Sequence, residues 1–266
     1  MAAPIAVVLA AGQGTRMKSD LPKVLFPVLG RPMIEFVLEA LAAAAIDRVI
    51  AVVGYRAEDV QASVGDFLRQ RRKNEKGPVG NLSYVDYALQ TERLGTGHAS
   101  KMAAPLLAGH DGPVLIVAGD SPLLQPTSVQ KLLAHFHQHQ PACLLGTLHK
   151  ANPAGLGRIV RNAAGEFVGI VEEKDATPEQ KRITEVNMST YLFDCRELLH
   201  ALDALKNDNR QKEYYLTDCP GILKAEGKRV EALPVLMECE ALSINTIDEL
   251  QSVEAEMKKL GYAPVL

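Results

Sequence analysis

Three uncharged runs constrain this chain more than any other feature: IAVVLA at Ile5–Ala10, VIAVV within RVIAVVG, and PVLIVA before Gly119. A short, continuous apolar run rich in β-branched residues is the pattern of a strand buried on both faces, as in the middle of a parallel sheet. Helical patterns separate the runs. RPMIEFVLEALAAAA reads as a helix with Pro32 in its first turn, and AEDVQASVGDFLRQRR as the next. LSYVDYA reads as a strand, followed by a helix near Thr96 to Ala108. PTSVQKLLAHFHQHQ reads as a helix and ACLLGTL as a strand. Alternation of this kind implies an α/β fold, a mixed and mainly parallel sheet with helices on both faces. Ligands on such sheets sit beyond the carboxyl ends of the strands.

From about Ala151 to Tyr191 the texture changes. GLGRIVRNAAGEFVGIVEEKDA has the look of short antiparallel strands around a glycine-rich turn, a small β-rich lobe over the site. EVNMSTYLFD then reads as a strand and CRELLHALDAL as a helix. EYYLTDCPGILKAEG reads as helical with Pro220 as an irregularity, KRVEALPV as a strand, and INTIDELQSVEAEMKKLG as a last helix capped by Thr246. The 266 residues suffice for one core with a lobe, so residues 1–266 are expected to form a single domain.

Composition excludes several classes. The formal charge of −3 and the absence of Trp give nucleic acid neither an electrostatic footprint nor a stacking platform. The basic run RQRRK closes a helix, where it complements the helix dipole. Four widely spaced cysteines have neither zinc nor disulfide-framework spacing, and a reduced, cytoplasmic setting is the expectation. No apolar run is long enough to span a membrane. His135 and His139 share a helix face, but no third ligand adjoins them in sequence.

The loop after the first run carries chemistry. Gly12 and Gly14 allow a tight turn and close approach of backbone amides to phosphate oxygens. The loop lacks the GxxxxGK[ST] of a Walker A motif, and Met17 stands where a dinucleotide fingerprint needs its third glycine. Arg16 and Lys23 bring two cations, more than a diphosphate bridge requires. They suit a triphosphate, or charge developing on a leaving group. Asp120 in GDSP ends a buried strand, where a carboxylate can hold a divalent cation beside phosphate oxygens. In QTERLGTGHA, Gln90 can read a base edge, and Gly95 and Thr96 stand at a helix start. The same residues also suit a simple helix cap.

LAAGQGTRMKSDLPKVLFPVLGRPM resembles the signature LAAGxGTRMxSxxPKxLxxxxGxP of the sugar-1-phosphate nucleotidyltransferases. Among them it is most like the uridyltransferase domains that act on N-acetylglucosamine 1-phosphate. LGTGHA, GDSPL, GRIV, GIVEEKDAT, KEYYLTD and SINTIDEL follow in that family's order, so the likeness covers nearly the whole chain. The resemblance implies a Rossmann-like nucleotidyltransferase fold and a Mg2+-dependent reaction. UTP and a sugar 1-phosphate would give a UDP-sugar and pyrophosphate. It places Leu9, Ala10, Ala11, Gly12 and Gly14 against the nucleotide, with Gln90 and Gly95 on uracil and Thr96 close by. It gives Arg16 and Lys23 to the triphosphate as catalytic cations and Asp120 and Asn245 to the metal. Gly157, Glu172 and Asn187 go to the sugar. The alternatives are the same chemistry with another sugar or nucleotide, or a silent nucleotide-sugar-binding protein. A monomer or small homo-oligomer is expected, without the left-handed β-helix of the bifunctional enzymes. Asn187-Met188-Ser189 departs from the family's usual Asn-Thr-Gly, and Ala118 stands where relatives often carry tyrosine.

Overall fold

The computed structural model describes residues 2–14, 19–73, 82, 85–244 and 246–264. Its elements, in chain order, begin with β1 (Ile5–Ala10), a two-residue-per-strand hairpin of β2 (Pro27–Val28) and β3 (Arg31–Pro32), α1 (Met33–Ala43), β4 (Arg48–Val53), α2 (Ala57–Lys73) and β5 (Val85–Leu89). Then come α3 (Thr96–Met102), α4 (Ala104–Leu107), β6 (Pro113–Ala118), α5 (Pro126–His139), β7 (Cys143–His149), β8 (Arg158–Arg161) and β9 (Phe167–Val171). The chain continues through β10 (Glu185–Asp194), α6 (Cys195–Ala204), α7 (Cys219–Ala225), β11 (Val230–Pro234) and α8 (Ile247–Lys259).

The main sheet runs β11-β7-β10-β6-β1-β4-β5. β1 lies parallel to both β4 and β6, and β5 parallel to β4. β10 alone of these seven runs the other way, antiparallel to both β6 and β7, and β11 is parallel to β7. β8 pairs antiparallel with β10 and with β9, so the β8–β9 hairpin hangs from the sheet at β10. The fold is α/β with a mixed, mainly parallel sheet.

Alternation along β1 divides the core. Ala6, Val8 and Ala10 point into the layer under α1, α2 and α5, where Ile34, Val60 and Val129 are buried. Ile5 and Val7 point into the opposite layer, with Ala99, Leu198 and Leu223 from α3, α6 and α7. α8 packs beside the β2–β3 hairpin in a third cluster built on Met33, Phe36, Val253 and Met257. Burial on both faces is why β1 carries no polar residue.

Three local readings are corrected. Pro32 precedes α1 at its N-cap position instead of sitting in the first turn. The single helix expected near Thr96 to Ala108 is two, because Pro105, with no N–H to donate, restarts the chain as α4 after Ala103. EYYLTDCPGILKAEG is helical only from Leu216 onward, with a short 3-10 turn leading into α7, and Pro220 sits in the first turn of α7, where its missing donor costs nothing. Its leading residues are not helical because the backbone of Tyr214 pairs with the loop before α3. Thr246 does cap α8, its hydroxyl accepting from the Glu249 N–H at 3.2 Å.

One polar cluster joins the β8–β9 hairpin to the sheet. Glu185 accepts from Arg161 Nε at 2.6 Å, Arg161 Nη2 at 2.7 Å and Thr147 Oγ1 at 2.6 Å. Arg161 Nη2 also donates to the Ala232 carbonyl at 2.7 Å. Four strands, β7, β8, β10 and β11, thereby meet at one carboxylate. Burial alone would raise the Glu185 pKa, but the donors from Arg161 and Thr147 outweigh it and hold it below its ordinary value of 4.5. A depressed carboxylate stabilises the fold above its unfolded pKa and ceases to do so as the pH falls through the folded one. Melts between about pH 6 and about pH 3 should therefore fall off more steeply for the wild type than for Glu185→Gln. Arg161→Met should cost about 2 kcal/mol at neutral pH, by leaving the buried carboxylate without its counter-ion.

Candidate active site

The parallel strands bring their following loops to one rim. Leu9 is opposite Val52 on one side and Ala118 on the other. Past the strand ends, the Tyr55 N–H donates to the Ala11 carbonyl at 3.2 Å and the Gly119 N–H to the Leu9 carbonyl at 2.9 Å. A cavity of about 410 Å3 opens here, lined by Leu9, Ala11, Gly12, Lys23, Gln90, Gly95, Thr96, Ala118 and Asp120, among others.

The glycine loop is folded against Lys23. The Lys23 N–H donates to the Gly12 carbonyl at 3.3 Å. Gly14 has φ +70°, and a β-carbon there would stand 2.8 Å from the Lys23 β-carbon. The Lys23 ammonium reaches across the cavity mouth to Asp120, Nζ to Oδ2 2.5 Å. The two charges expected to serve phosphate and metal thus face each other, both on the cavity wall. Arg16, the second expected cation, and Asn245, the second expected metal ligand, lie outside the described residues. Ala10 is turned away from the cavity into the core by strand alternation, and Gly14 supports the loop from behind Lys23 without lining the cavity.

The opposite wall is the loop before α3. Gln90 is buried, and its amide nitrogen donates to the Gly95 carbonyl at 3.2 Å and lies 3.1 Å from His98 Nδ1. Gly95 has φ +97°, and a β-carbon there would lie 2.5 Å from the Tyr214 carbonyl oxygen. The Tyr214 N–H donates to the Leu94 carbonyl at 2.7 Å, and its carbonyl accepts from the Gly97 N–H at 2.8 Å. Thr96 Oγ1 accepts from the Leu216 N–H at 3.1 Å. Thr96 therefore lines the cavity while fastening residues 213–217 to its wall, a role that capping patterns in the sequence do not reveal.

The three expected sugar residues are neighbours, next to this cavity and not among the residues that line it. The Asn187 N–H donates to the Gly157 carbonyl at 2.9 Å. A β-carbon at Gly157 would lie 3.5 Å from Glu172 Oε1. Asn187 Nδ2 donates to the Tyr191 hydroxyl at 2.7 Å, and Tyr191 does line the cavity. Burial, opposed in part by the bonds from Asn187 and Ser189, pushes the Tyr191 phenol far above its ordinary range, so it stays protonated and keeps a donor at the cavity floor.

Sequence reasoning missed Tyr191, Arg93 and Glu213 as cavity-lining residues. Tyr191 is hidden in a strand pattern. Arg93 sits in the quoted QTERLGTG segment, but its role comes from tertiary contacts. It donates to Gln13 Oε1 at 2.6 Å and lies over the Tyr55 ring at 5.3 Å, bridging the glycine loop and the loop before α3. Elsewhere, His135 Nε2 lies 2.5 Å from Glu231 Oε2, with the His135 and His139 rings 4.3 Å apart. Among the described residues no group of three or more His, Cys, Asp or Glu could hold a metal ion, and no helix is long and apolar enough to cross a membrane. Cys143, Cys195, Cys219 and Cys239 are buried and unbridged.

Residues 6–217 match the model of the MobA-like NTP transferase domain. The chain belongs to that family. This MobA-like domain is 42% identical over 254 residues to the bifunctional protein GlmU of Brevibacillus brevis, covering 96% of this chain and 51% of that protein. The likeness to GlmU of Streptococcus suis is also 42%, over 96% of this chain and 52% of the relative. The chain thus spans about half the length of these relatives. A crystal structure of UDP-glucose pyrophosphorylase complexed with UDP-glucose superposes with a TM-score of 0.75 at 18% identity, covering 97% of this chain and all of that one. At that identity the match supports the fold, a Rossmann-like nucleotidyltransferase arrangement.

Gly95→Ala is expected to cost about 3 kcal/mol, since a β-carbon meets both an unfavourable φ and the Tyr214 carbonyl. Equilibrium urea unfolding would measure the loss. Nucleoside triphosphate affinity should fall with it, because the wall that carries Gln90 would separate from residues 213–217.

Proposed function

We propose that this chain transfers a uridylyl group from UTP to a sugar 1-phosphate, with N-acetylglucosamine 1-phosphate as the expected sugar, releasing pyrophosphate. The observation that carries this reading is the Lys23–Asp120 pair on the wall of a cavity whose far side is the Gln90 loop. Cation, carboxylate and base-reading amide stand around one space at the carboxyl rim. The relatives named GlmU and the structural likeness to an enzyme holding UDP-glucose support the same substrate class.

The chemistry asks little covalent work of the protein. An oxygen of the sugar phosphate attacks the α-phosphorus of the triphosphate, and pyrophosphate leaves carrying the bonding pair. Lys23 stabilises the charge that grows on the leaving group. Gln90 holds the base: its amide nitrogen is engaged with Gly95 and His98, which leaves the amide oxygen to accept the imide N–H of uracil. Cytosine has an acceptor at that ring position, so the same oxygen disfavours it. Gly157, Glu172 and Asn187 flank the sugar, with Asn187 acting through Tyr191.

Asp120 is a hard oxygen donor on the cavity wall and suits Mg2+, which favours one or two carboxylates supplemented by phosphate oxygens and water. With no larger ligand cluster among the described residues, the ion would be shared with the triphosphate instead of held in a protein cage. Asn245 is expected to join it. When bound, Mg2+ supplies further neutralisation of phosphate charge.

The test is pyrophosphate release from UTP with Mg2+ across a panel of sugar 1-phosphates, with the other nucleoside triphosphates as controls. Turnover with UTP and N-acetylglucosamine 1-phosphate is the expected result. Turnover with another pair would move the substrate, and none with any pair would overturn transfer in favour of a silent binding protein. Asp120→Asn is expected to lower kcat by about 10²–10³-fold with little change in Tm. Lys23→Ala should lower kcat by about 10²-fold, more than it raises the KM of the sugar phosphate. An effect confined to KM would make Lys23 a ground-state anchor.

A further inference from the structure

β10 carries two residues that its partner strand does not match. Asn187 lies opposite Thr147 and Thr190 opposite Gly146, so Met188 and Ser189 form a bulge. Met188 packs into the core on one face, while Ser189 is exposed on the cavity wall. Ser189 has φ +54°. Among the described residues, Leu29, Ala45, Arg56, Gln140 and Lys212 also have positive φ without being glycine, but they lie in turns, loops or at a helix end. Ser189 is the one of these inside a strand, and the one that lines this cavity.

A left-handed conformation costs a residue with a β-carbon free energy that glycine would not incur. Here the surroundings impose it. The Asn187 carboxamide spans the bulge, its oxygen accepting from the Ser189 N–H at 3.3 Å and its nitrogen donating to the Tyr191 hydroxyl at 2.7 Å. The side chain so presented is a hydroxyl that bonds the Tyr191 phenol and keeps capacity for a further hydrogen bond to a ligand. Beside it Tyr191 and the small Ala118 line the same floor, leaving room for a ligand group.

We infer that Ser189 is a specificity-determining residue, contacting the sugar of the nucleotide sugar through its hydroxyl and held in place by a strained bulge. The inference rests on the proposed sugar 1-phosphate transfer, but its test is binding of UDP-N-acetylglucosamine compared with UDP, measured by calorimetry on the full chain. Ser189→Ala keeps the strain and removes the hydroxyl with its bond to Tyr191; Ser189→Gly removes the hydroxyl, that bond and the strain. Both variants should weaken UDP-N-acetylglucosamine about fivefold and leave UDP unchanged. Ser189→Gly should also melt about 2 °C higher than the wild type, and Ser189→Ala no higher. Unchanged affinity for UDP-N-acetylglucosamine in both variants would overturn the inference and make the bulge a matter of folding alone. Equal weakening of UDP and UDP-N-acetylglucosamine would overturn it too, by assigning Ser189 to the nucleotide. A wild type that binds UDP-N-acetylglucosamine no more tightly than UDP would also overturn it. A wild type that binds the nucleotide sugar through Ser189 yet turns over no sugar 1-phosphate would sink the transfer reaction and leave this inference standing.

Discussion

The parallel pairing of β1 with both β4 and β6 is the constraint on which the rest of the molecule depends. Parallel partners must send their following loops out of the same edge, so one register decision places Gly12, Gly54 and Asp120 around a common rim. The bonds from Tyr55 to Ala11 and from Gly119 to Leu9 continue the pairing past the strand ends. Glycine eases that close approach at both neighbours. A β-carbon at Gly54 would lie 3.0 Å from that of Ala11, and one at Gly119 would lie 3.0 Å from the Leu9 carbonyl oxygen. The rim of the cavity is therefore gathered by backbone hydrogen bonds before any side chain takes part.

The strand that breaks the pattern has the complementary task. β10 runs against its neighbours, so its beginning, not its end, reaches the cavity rim. Asn187, Ser189 and Tyr191 come to the site by that reversal. The β8–β9 hairpin, hung from the same strand end and fixed through Arg161 and Glu185, brings Gly157 and Glu172 beside Asn187. Two halves of the site are thus held by two opposite strand directions in one sheet.

Much of this was legible. The uncharged runs marked β1, β4 and β6 because strands buried on both faces favour apolar residues, and α1, α2 and α5 showed the expected periodicity. The same uniformity conceals which way each residue of β1 faces, and so does not reveal that the Ala10 side chain packs into the core. The non-helical stretch around Tyr214 reads as helix from sequence alone because its backbone partners, Leu94 and Gly97, are more than a hundred residues away and leave no local trace. Arg93 acquires its position from Gln13 and Tyr55, and the Glu185 cluster draws on four strands. Spacing can signal a loop that binds phosphate. It cannot say which distant side chains that loop will meet.

The Lys23–Asp120 pair has a consequence for what the cavity will accept. Each charge already has the other at 2.5 Å, so entry of a ligand is an exchange of partners. A bare polyanion that takes the ammonium leaves the carboxylate facing like charge, and a bare cation that takes the carboxylate draws it away from the ammonium. A ligand that carries both signs together, negative for Lys23 and positive for Asp120, leaves neither behind. In the proposed reaction the resting pair would therefore favour matched charge arriving in one encounter over either component alone.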